Sequence, residues 1–198
     1  MIPMNWPKAA SPLCALSHGD KGNVHGTARH NYTTYYHELF APRRERVEAV
    51  FELGIFMGNS LRMWRDYFPN ATIYGADIDA AACASASGPR IVTRCFDERD
   101  VVPGSPLLAD WPLFDIMIDD AIHAHADNVK FFYSARHKLK PGGIYVIEDL
   151  RYEELDLFRA TLDGVRAEGW AAEIIYGYDR MVFGESIPDN SLMVMVRP

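Results

Sequence analysis

The chain has 198 residues, 48% of them hydrophobic, and a formal net charge of -7 at pH 7. This length and apolar content suit one globular domain with a sizeable core, and no low-complexity linker divides the sequence. The acidic balance argues against a nucleic-acid partner, and apolar runs of only strand length argue against a membrane span.

Predicted strands and helices alternate along the chain beyond residue 46. One helix is predicted before that point, over residues 32–40. Beyond residue 46 the helices are predicted over residues 60–68, 79–86, 125–139 and 153–169. The strands are predicted over residues 47–55, 72–78, 90–96, 114–120, 143–149, 171–180 and 191–198. This alternation predicts an α/β fold with a doubly wound, mostly parallel sheet. Residues 1–46 form an irregular N-terminal arm, and residues 47–198 form the domain.

The turn after the first strand is the first candidate binding element. Gly54 and Gly58 would let the backbone approach a ligand closely, and the next helix offers free N–H groups at its N-terminus. Glu52 precedes this turn, and Asn59 or Ser60 can cap the helix. The glycine spacing differs from the dinucleotide fingerprint and disfavours a nicotinamide cofactor. A purely structural turn remains the alternative.

Acidic residues also end the second and third predicted strands. Asp77 at the end of the second strand suits a ribose diol, because one carboxylate accepts two hydroxyl hydrogens. Asp97 follows the third strand, where it is placed to meet an adenine amino group. The alternatives are a helix cap for the second-strand acids and a solvated charge cluster for Asp97.

A denser group of polar residues follows the fourth and fifth strands: Asp119, Asp120, His123, Glu148 and Asp149. Neighbouring carboxylates repel each other, so this cluster needs a cation or bound protons. Carboxylate oxygens without cysteine ligands favour a hard divalent ion, with Mg²⁺ as the first candidate. Helix capping or pairing with cations such as Arg151 remains the alternative.

Taken together, these turns resemble the cofactor site of class I S-adenosylmethionine-dependent methyltransferases. The resemblance implies a Rossmann-like sheet of seven strands with an antiparallel last strand. It also implies that the glycine turn holds the methionine part of the cofactor and that Asp77 holds the ribose. The cofactor-binding residues are then predicted to be Glu52, Gly54, Gly58, Asn59, Ser60, Asp77, Asp97 and Asp119.

The sequences IDDAIH and VIEDL resemble motifs of a narrower group, the metal-dependent O-methyltransferases that act on sugars of macrolides and related natural products. By this resemblance, Asp120, Glu148 and Asp149 bind the metal. His123 is the general base, and Asp119 lies behind the metal site or on the cofactor side.

The N-terminal arm also resembles this family, in which an Asp-Lys segment and a His-x-Tyr segment precede the domain. Here these segments are Asp20-Lys21 and His30-Asn31-Tyr32, and the extra residues 26–29 between them depart from the family pattern. His30, Tyr32 and Arg180, the last in the loop 179–190, are candidate acceptor contacts. The short arm also departs from the larger N-terminal region of the macrolide-sugar enzymes, which predicts a smaller acceptor or different binding loops.

The sequence thus predicts a metal-assisted O-methyltransferase for a hydroxylated small molecule such as a sugar or glycoside. A phenolic or amine acceptor and a non-catalytic cofactor-binding homologue remain alternatives. The three cysteines form no zinc or CxxC pattern and predict a cytoplasmic protein. Whether the chain forms a homo-oligomer is left open.

Overall fold

The computed structural model describes residues 1–19, 21–22, 30–177, 181–182, 185–186 and 190–198. The helices are α1 Tyr32–Phe40, α2 Asn59–Tyr67, α3 Ala80–Ser85, α4 His125–Ala135 and α5 Leu155–Ala167. The strands are β1 Ala49–Leu53, β2 Thr72–Asp77, β3 Ile91–Cys95, β4 Phe114–Asp119, β5 Leu139–Ile147, β6 Ala171–Tyr176, β7 Met181–Val182, β8 Glu185–Ser186 and β9 Ser191–Val196.

The main sheet has seven strands in the order β3-β2-β1-β4-β5-β9-β6. The first five are parallel, whereas β9 runs antiparallel to both β5 and β6. The predicted Rossmann-like sheet with an antiparallel last strand is therefore confirmed. The short pair β7 and β8 lies in the connection before β9 and was not predicted.

Helices cover both faces of the sheet, so its central strands are buried on both sides. Val50 and Phe51 are neighbours in β1, yet they belong to two different core clusters because successive strand residues point to opposite faces. Trp64 of α2 packs in the first cluster, and Phe131 of α4 and Phe158 of α5 pack in the second. The layers leave the carboxyl ends of the strands as the place for a site.

The segment around Pro141 differs from its predicted form. Helix α4 ends at Ala135, a 3-10 turn follows, and β5 begins at Leu139, earlier than predicted. The Pro-Gly-Gly sequence lies within β5, where the pairing with β4 shifts register between Phe114 and Ile116. Gly142 has φ +72 at this irregularity. Pro141 has no N–H to donate and Gly142 is left-handed, and this combination suits a bulge within a strand. The same residues also end helices, so the Pro-Gly-Gly sequence does not by itself place the boundary between α4 and β5.

The described part of the N-terminal arm is packed into the first core cluster. The ring of Tyr36 stacks on Phe40 and meets Trp64 edge-on at a centroid distance of 5.3 Å. The indole N–H of Trp6 donates to the Asn31 carbonyl at 3.1 Å. The boundary at residue 46 stays a prediction, although the arm and the domain share this core. Among the described helices, none has the length and apolar character to span a membrane.

Candidate active site

A cavity of about 710 Å³ opens at the carboxyl ends of β1, β2, β3 and β4. Its size is that of a small-molecule or cofactor site. The predicted site residues in its wall are Gly54, Asn59, Ser60, Asp77, Asp97, Asp120 and His123. The predicted cofactor turn and the predicted base therefore face one space.

Gly54 is required by the close approach of two strand ends. Its φ is +91, and a β-carbon there would lie 2.0 Å from the carbonyl oxygen of Asp120. Gly58 has φ +70 and precedes α2, where a β-carbon would meet Ala86 at 2.7 Å. Gly58 does not line the cavity, so its observed contribution is the shape of the turn.

Asp77 organises the glycine turn from the neighbouring strand. Its Oδ2 accepts hydrogen bonds from the N–H groups of Ile55 at 2.7 Å and Phe56 at 3.0 Å. Its Oδ1 accepts from the N–H of Asp79 at 2.9 Å. Phe56 has a positive φ of 49 and is 80% exposed at the cavity wall. Asp77 thus both lines the cavity and holds the strained turn in place.

Two acids after β3 line the cavity, Asp97 partly exposed and Glu98 buried. Asp97 pairs with the Arg99 guanidinium at 2.6 Å, and hydrogen bonds from Arg99 lower the pKa of Asp97 to about 2. Glu98 is buried at the cavity wall, and its Oε1 has no hydrogen-bond partner among the described residues. Burial, with the Asp119 charge, raises the pKa of Glu98 to about 8. Sequence reasoning missed Glu98, because nothing in the run from residue 97 to 100 marks which acid turns inward.

Asp119 lies beneath the cavity rather than in its wall. Its side chain is fully buried, and burial raises its pKa to about 7. Asn128 and Tyr145 are its polar neighbours, although neither Asp119 oxygen has a partner in hydrogen-bonding geometry among the described residues. Asp119 therefore packs beneath the residues of the cavity wall, and its contact with the cofactor stays a prediction.

The predicted metal ligands converge, each held by donors of the arm or of its own loop. Glu148 Oε1 accepts from the Tyr36 hydroxyl at 2.6 Å, and Asp149 Oδ1 accepts from the Tyr32 hydroxyl. Asp120 Oδ1 lies 3.1 Å from His123 Nε2. The structure therefore brings all three carboxylates to the ends of β4 and β5.

His123 lies between two of these carboxylates. Its Nε2 faces Asp120, and its Nδ1 lies 3.6 Å from Asp149 Oδ2. Burial lowers the pKa of His123, but the Asp120 hydrogen bond and the Asp149 charge outweigh burial and raise it to about 9. His123 and Asp149 both have positive φ, 56 and 54. Such backbone strain in non-glycine residues is concentrated at functional sites.

Lys21 completes the cluster and was not among the predicted site residues. Its Nζ donates to Asp120 Oδ2 and Glu148 Oε2, both at 2.5 Å, and lies 3.3 Å from Glu52 Oε1. Glu52 is buried and also accepts from the Trp64 indole at 3.0 Å. Burial raises the pKa of Glu52 to about 7, against the lowering effect of Lys21. The available signal was the need of clustered acids for a counter-charge.

The donor set fits a hard divalent ion. One potential ligand atom each from Asp120, His123 and Asp149 lie within 4.8 Å of one another, and so do atoms from Glu52, Asp120 and Glu148. Asp120 belongs to both groups, which together contain the three predicted ligands. Oxygen donors with at most one imidazole suit Mg²⁺ or a similar cation.

Two of the predicted acceptor residues, His30 and Tyr32, contact Asp149 and are not part of the described cavity wall. His30 and Tyr32 are buried and stack at a centroid distance of 4.7 Å. His30 Nδ1 lies 3.6 Å from Asp149 Oδ1, the oxygen that the Tyr32 hydroxyl contacts. Their observed contacts orient Asp149, and an acceptor contact stays a prediction. Arg180 and most of the loop 179–190 lie outside the described residues.

Sequence comparison finds relatives among enzymes of natural-product biosynthesis, and no family model matches the chain. An 8-demethyl-8-alpha-L-rhamnosyl tetracenomycin-C 2'-O-methyltransferase from Streptomyces olivaceus is 36% identical over 157 residues, which is 75% of this chain and 40% of that enzyme. A demethylmacrocin O-methyltransferase from Streptomyces fradiae is 36% identical over 128 residues, 61% of this chain and 32% of that enzyme. The chain therefore spans less than half the length of these relatives.

Structure comparison finds the same fold in solved methyltransferases. MycE of the mycinamycin biosynthetic pathway, in complex with Mg and SAH, has a TM-score of 0.69 and 24% identity. The match covers 96% of this chain and 55% of MycE. A candidate caffeoyl-CoA O-methyltransferase from Staphylococcus aureus has a TM-score of 0.61 at 12% identity, and the match covers 82% of this chain and 81% of that one.

Proposed function

Because this chain has the class I methyltransferase fold and is a homologue of sugar O-methyltransferases of natural-product biosynthesis, we propose that it is a metal-assisted O-methyltransferase. The methyl donor is S-adenosylmethionine, and the acceptor is a hydroxyl of a small molecule. The observation that carries the proposal is one cavity whose wall contains both the glycine turn and the Asp120–His123 pair. An arrangement with the methyl donor beside the base is what group transfer needs.

The cofactor residues follow from the cavity wall. The turn at Gly54 and the N-terminus of α2 at Asn59 and Ser60 receive the methionine part, since free N–H groups there suit a carboxylate. The Asp77 carboxylate accepts hydrogen bonds from the ribose hydroxyls through the lone pairs that are not used by the N–H groups of the turn. Asp97 or its inward neighbour Glu98 faces the adenine.

Asp120, Glu148 and Asp149 are the proposed metal ligands, with Mg²⁺ as the proposed ion. A bound divalent cation supplies stabilisation of the alkoxide that forms on the acceptor. Tyr32 and Tyr36 hold Asp149 and Glu148 through their hydroxyls. Burial and the neighbouring carboxylates raise the pKa of both tyrosines well above 10, so both hydroxyls stay donors.

His123 is the proposed general base. Its Nε2 donates to Asp120 Oδ1, which leaves Nδ1 as the nitrogen that takes the hydroxyl proton. Asp120 and Asp149, which raise the pKa of His123 to about 9, are also proposed metal ligands. A cation bound to them would offset their negative charge, so the pKa of His123 would fall back toward its ordinary value. A base with a pKa near neutrality is the most effective one at pH 7.

A sugar or glycoside is the proposed acceptor class, since the relatives include O-methyltransferases named for a rhamnosyl tetracenomycin and for demethylmacrocin. The alternative is a phenolic or amine acceptor. A small-molecule acceptor agrees with the acidic net charge of -7, which opposes nucleic acid. The cytoplasmic location and the oligomeric state stay predictions.

Transfer of a labelled methyl group tests this proposal directly. The purified protein is incubated with methyl-labelled S-adenosylmethionine, Mg²⁺ and a panel of rhamnosides, deoxysugar glycosides, catechols and amines. We expect label in at least one glycoside and a new O-methyl signal by NMR. Label only in catechols or amines would refute the sugar acceptor. Failure of S-adenosylhomocysteine to bind at millimolar concentration would refute the methyltransferase.

A further inference from the structure

The ammonium of Lys21 is in the position that a cation shared by two of the proposed ligands would take. Lys21 is only 4% exposed, and its Nζ lies 2.5 Å from an oxygen of Asp120 and 2.5 Å from an oxygen of Glu148. Both residues belong to the proposed metal site. The lysine comes from the N-terminal arm, far from the domain strands in sequence.

In Asp120 and Glu148, the oxygen that Lys21 does not contact also has a hydrogen-bond partner. Asp120 Oδ1 faces His123 Nε2, and Glu148 Oε1 accepts from Tyr36. A metal that binds Asp120 and Glu148 must therefore take the oxygens that Lys21 uses, or break two other contacts. Mg²⁺ binds oxygens at about 2.0 to 2.1 Å. An ion on the two oxygens that Lys21 contacts at 2.5 Å would lie within a few ångströms of the ammonium, and two positive charges at that distance repel each other.

We propose that Lys21 and the divalent cation compete for the same oxygens of Asp120 and Glu148, so that metal binding expels the lysine ammonium from the cluster. In the metal-free protein, Lys21 balances part of the repulsion among Glu52, Asp120 and Glu148. In the metal-bound protein, the ion takes over that role. The inference rests on the proposed function, because it assumes the metal site at Asp120, Glu148 and Asp149.

Chemical labelling of lysines in the protein without substitutions tests the exchange and does not rely on enzyme activity. The protein is treated briefly with an acetylating reagent in EDTA and again in excess Mg²⁺, and acetylation is measured at each lysine by mass spectrometry. We expect Lys21 to be protected in EDTA and acetylated at least tenfold faster with Mg²⁺. Lys138 is the matched control, since it is also buried but donates to the carbonyls of Ala109 and Trp111 rather than to the clustered acids.

A substitution gives an independent measurement. Lys21→Met removes the competing cation, so we expect the Mg²⁺ dissociation constant from calorimetry to fall at least tenfold. We also expect a lower Tm in EDTA, because the acids lose their counter-charge. Lys138→Met should leave the Mg²⁺ affinity unchanged. If Lys21→Met fails to fold, the labelling experiment alone tests the exchange.

The outcomes separate this inference from the proposed function. Mg²⁺ binding with Lys21 still protected from acetylation would overturn the exchange and leave the metal site standing. No Mg²⁺ binding to the unmodified protein at millimolar concentration would overturn both. Faster acetylation of Lys21 with Mg²⁺, at constant acetylation of Lys138, would support the exchange.

Discussion

Replacement of His123 by alanine should lower the rate of methyl transfer by about 10² to 10⁴-fold, the usual contribution of a general base. The acceptor hydroxyl keeps its proton far above neutral pH, and His123 Nδ1 is the proposed group that removes it as the carbon–oxygen bond forms. His123 lies between Asp120 and Asp149 with a positive φ, so the chain holds this ring in place at an energetic cost.

The measurement is the rate with saturating cofactor and Mg²⁺, together with S-adenosylhomocysteine affinity by calorimetry. The affinity for S-adenosylhomocysteine should change little, because the substitution removes the proton acceptor and leaves the glycine turn intact. His125→Ala is the matched control, since the His125 side chain hydrogen-bonds Thr161 and packs on Phe158 rather than on the proposed metal ligands. A loss of less than about tenfold for His123→Ala, below the usual range for a base, would refute the assignment.

Replacement of Gly54 by alanine should both destabilise the protein and prevent cofactor binding. Two penalties add at this position. The left-handed conformation at φ +91 costs a residue with a β-carbon about 1 to 2 kcal/mol. The clash of that carbon with the Asp120 carbonyl at 2.0 Å adds an overpacking cost of about 1 to 3 kcal/mol. Relief of the clash moves β1 away from β4, the two strand ends that carry the turn and Asp120.

Gly169→Ala separates these two penalties. Gly169 has the same φ of +91, but a β-carbon there would meet nothing within 4 Å. Urea unfolding should show a loss of stability confined to the conformational penalty for Gly169→Ala and a larger loss for Gly54→Ala. Calorimetry should show unchanged S-adenosylhomocysteine affinity for the first variant and at least a tenfold loss for the second, about 1.4 kcal/mol. Equal affinities in the two variants would contradict the role of Gly54.

The sheet and much of the site could be predicted because both depend on local patterns. Buried apolar runs alternate with amphipathic segments, and polar residues follow at the strand ends. The observed strand order places β4 beside β5 and so brings Asp120 and Glu148 together. The Pro-Gly-Gly segment was harder, since a turn and a bulge use the same residues and only the pairing with β4 and β9 distinguishes them.

Contacts between distant segments could not be predicted from local patterns. Lys21 reaches Glu148 across 127 positions of the chain, and Tyr36 reaches the same residue across 112. Glu98 is buried while Asp97 pairs with Arg99, and this difference depends on the packing of the 3-10 turn after β3. The carboxylates were visible in the sequence, whereas the groups that position and balance them depend on the tertiary fold.

The dependence of methyl transfer on a divalent cation tests the central claim most directly. The rate is measured with saturating cofactor and acceptor after EDTA treatment and then during titration with Mg²⁺. We expect EDTA to reduce the rate by about 10²-fold or more, because a bound cation is worth several kcal/mol to a developing alkoxide. Excess Mg²⁺ should restore the rate in the unmodified protein and fail to restore it in Asp149→Asn. An unchanged rate in EDTA would contradict the metal-assisted mechanism.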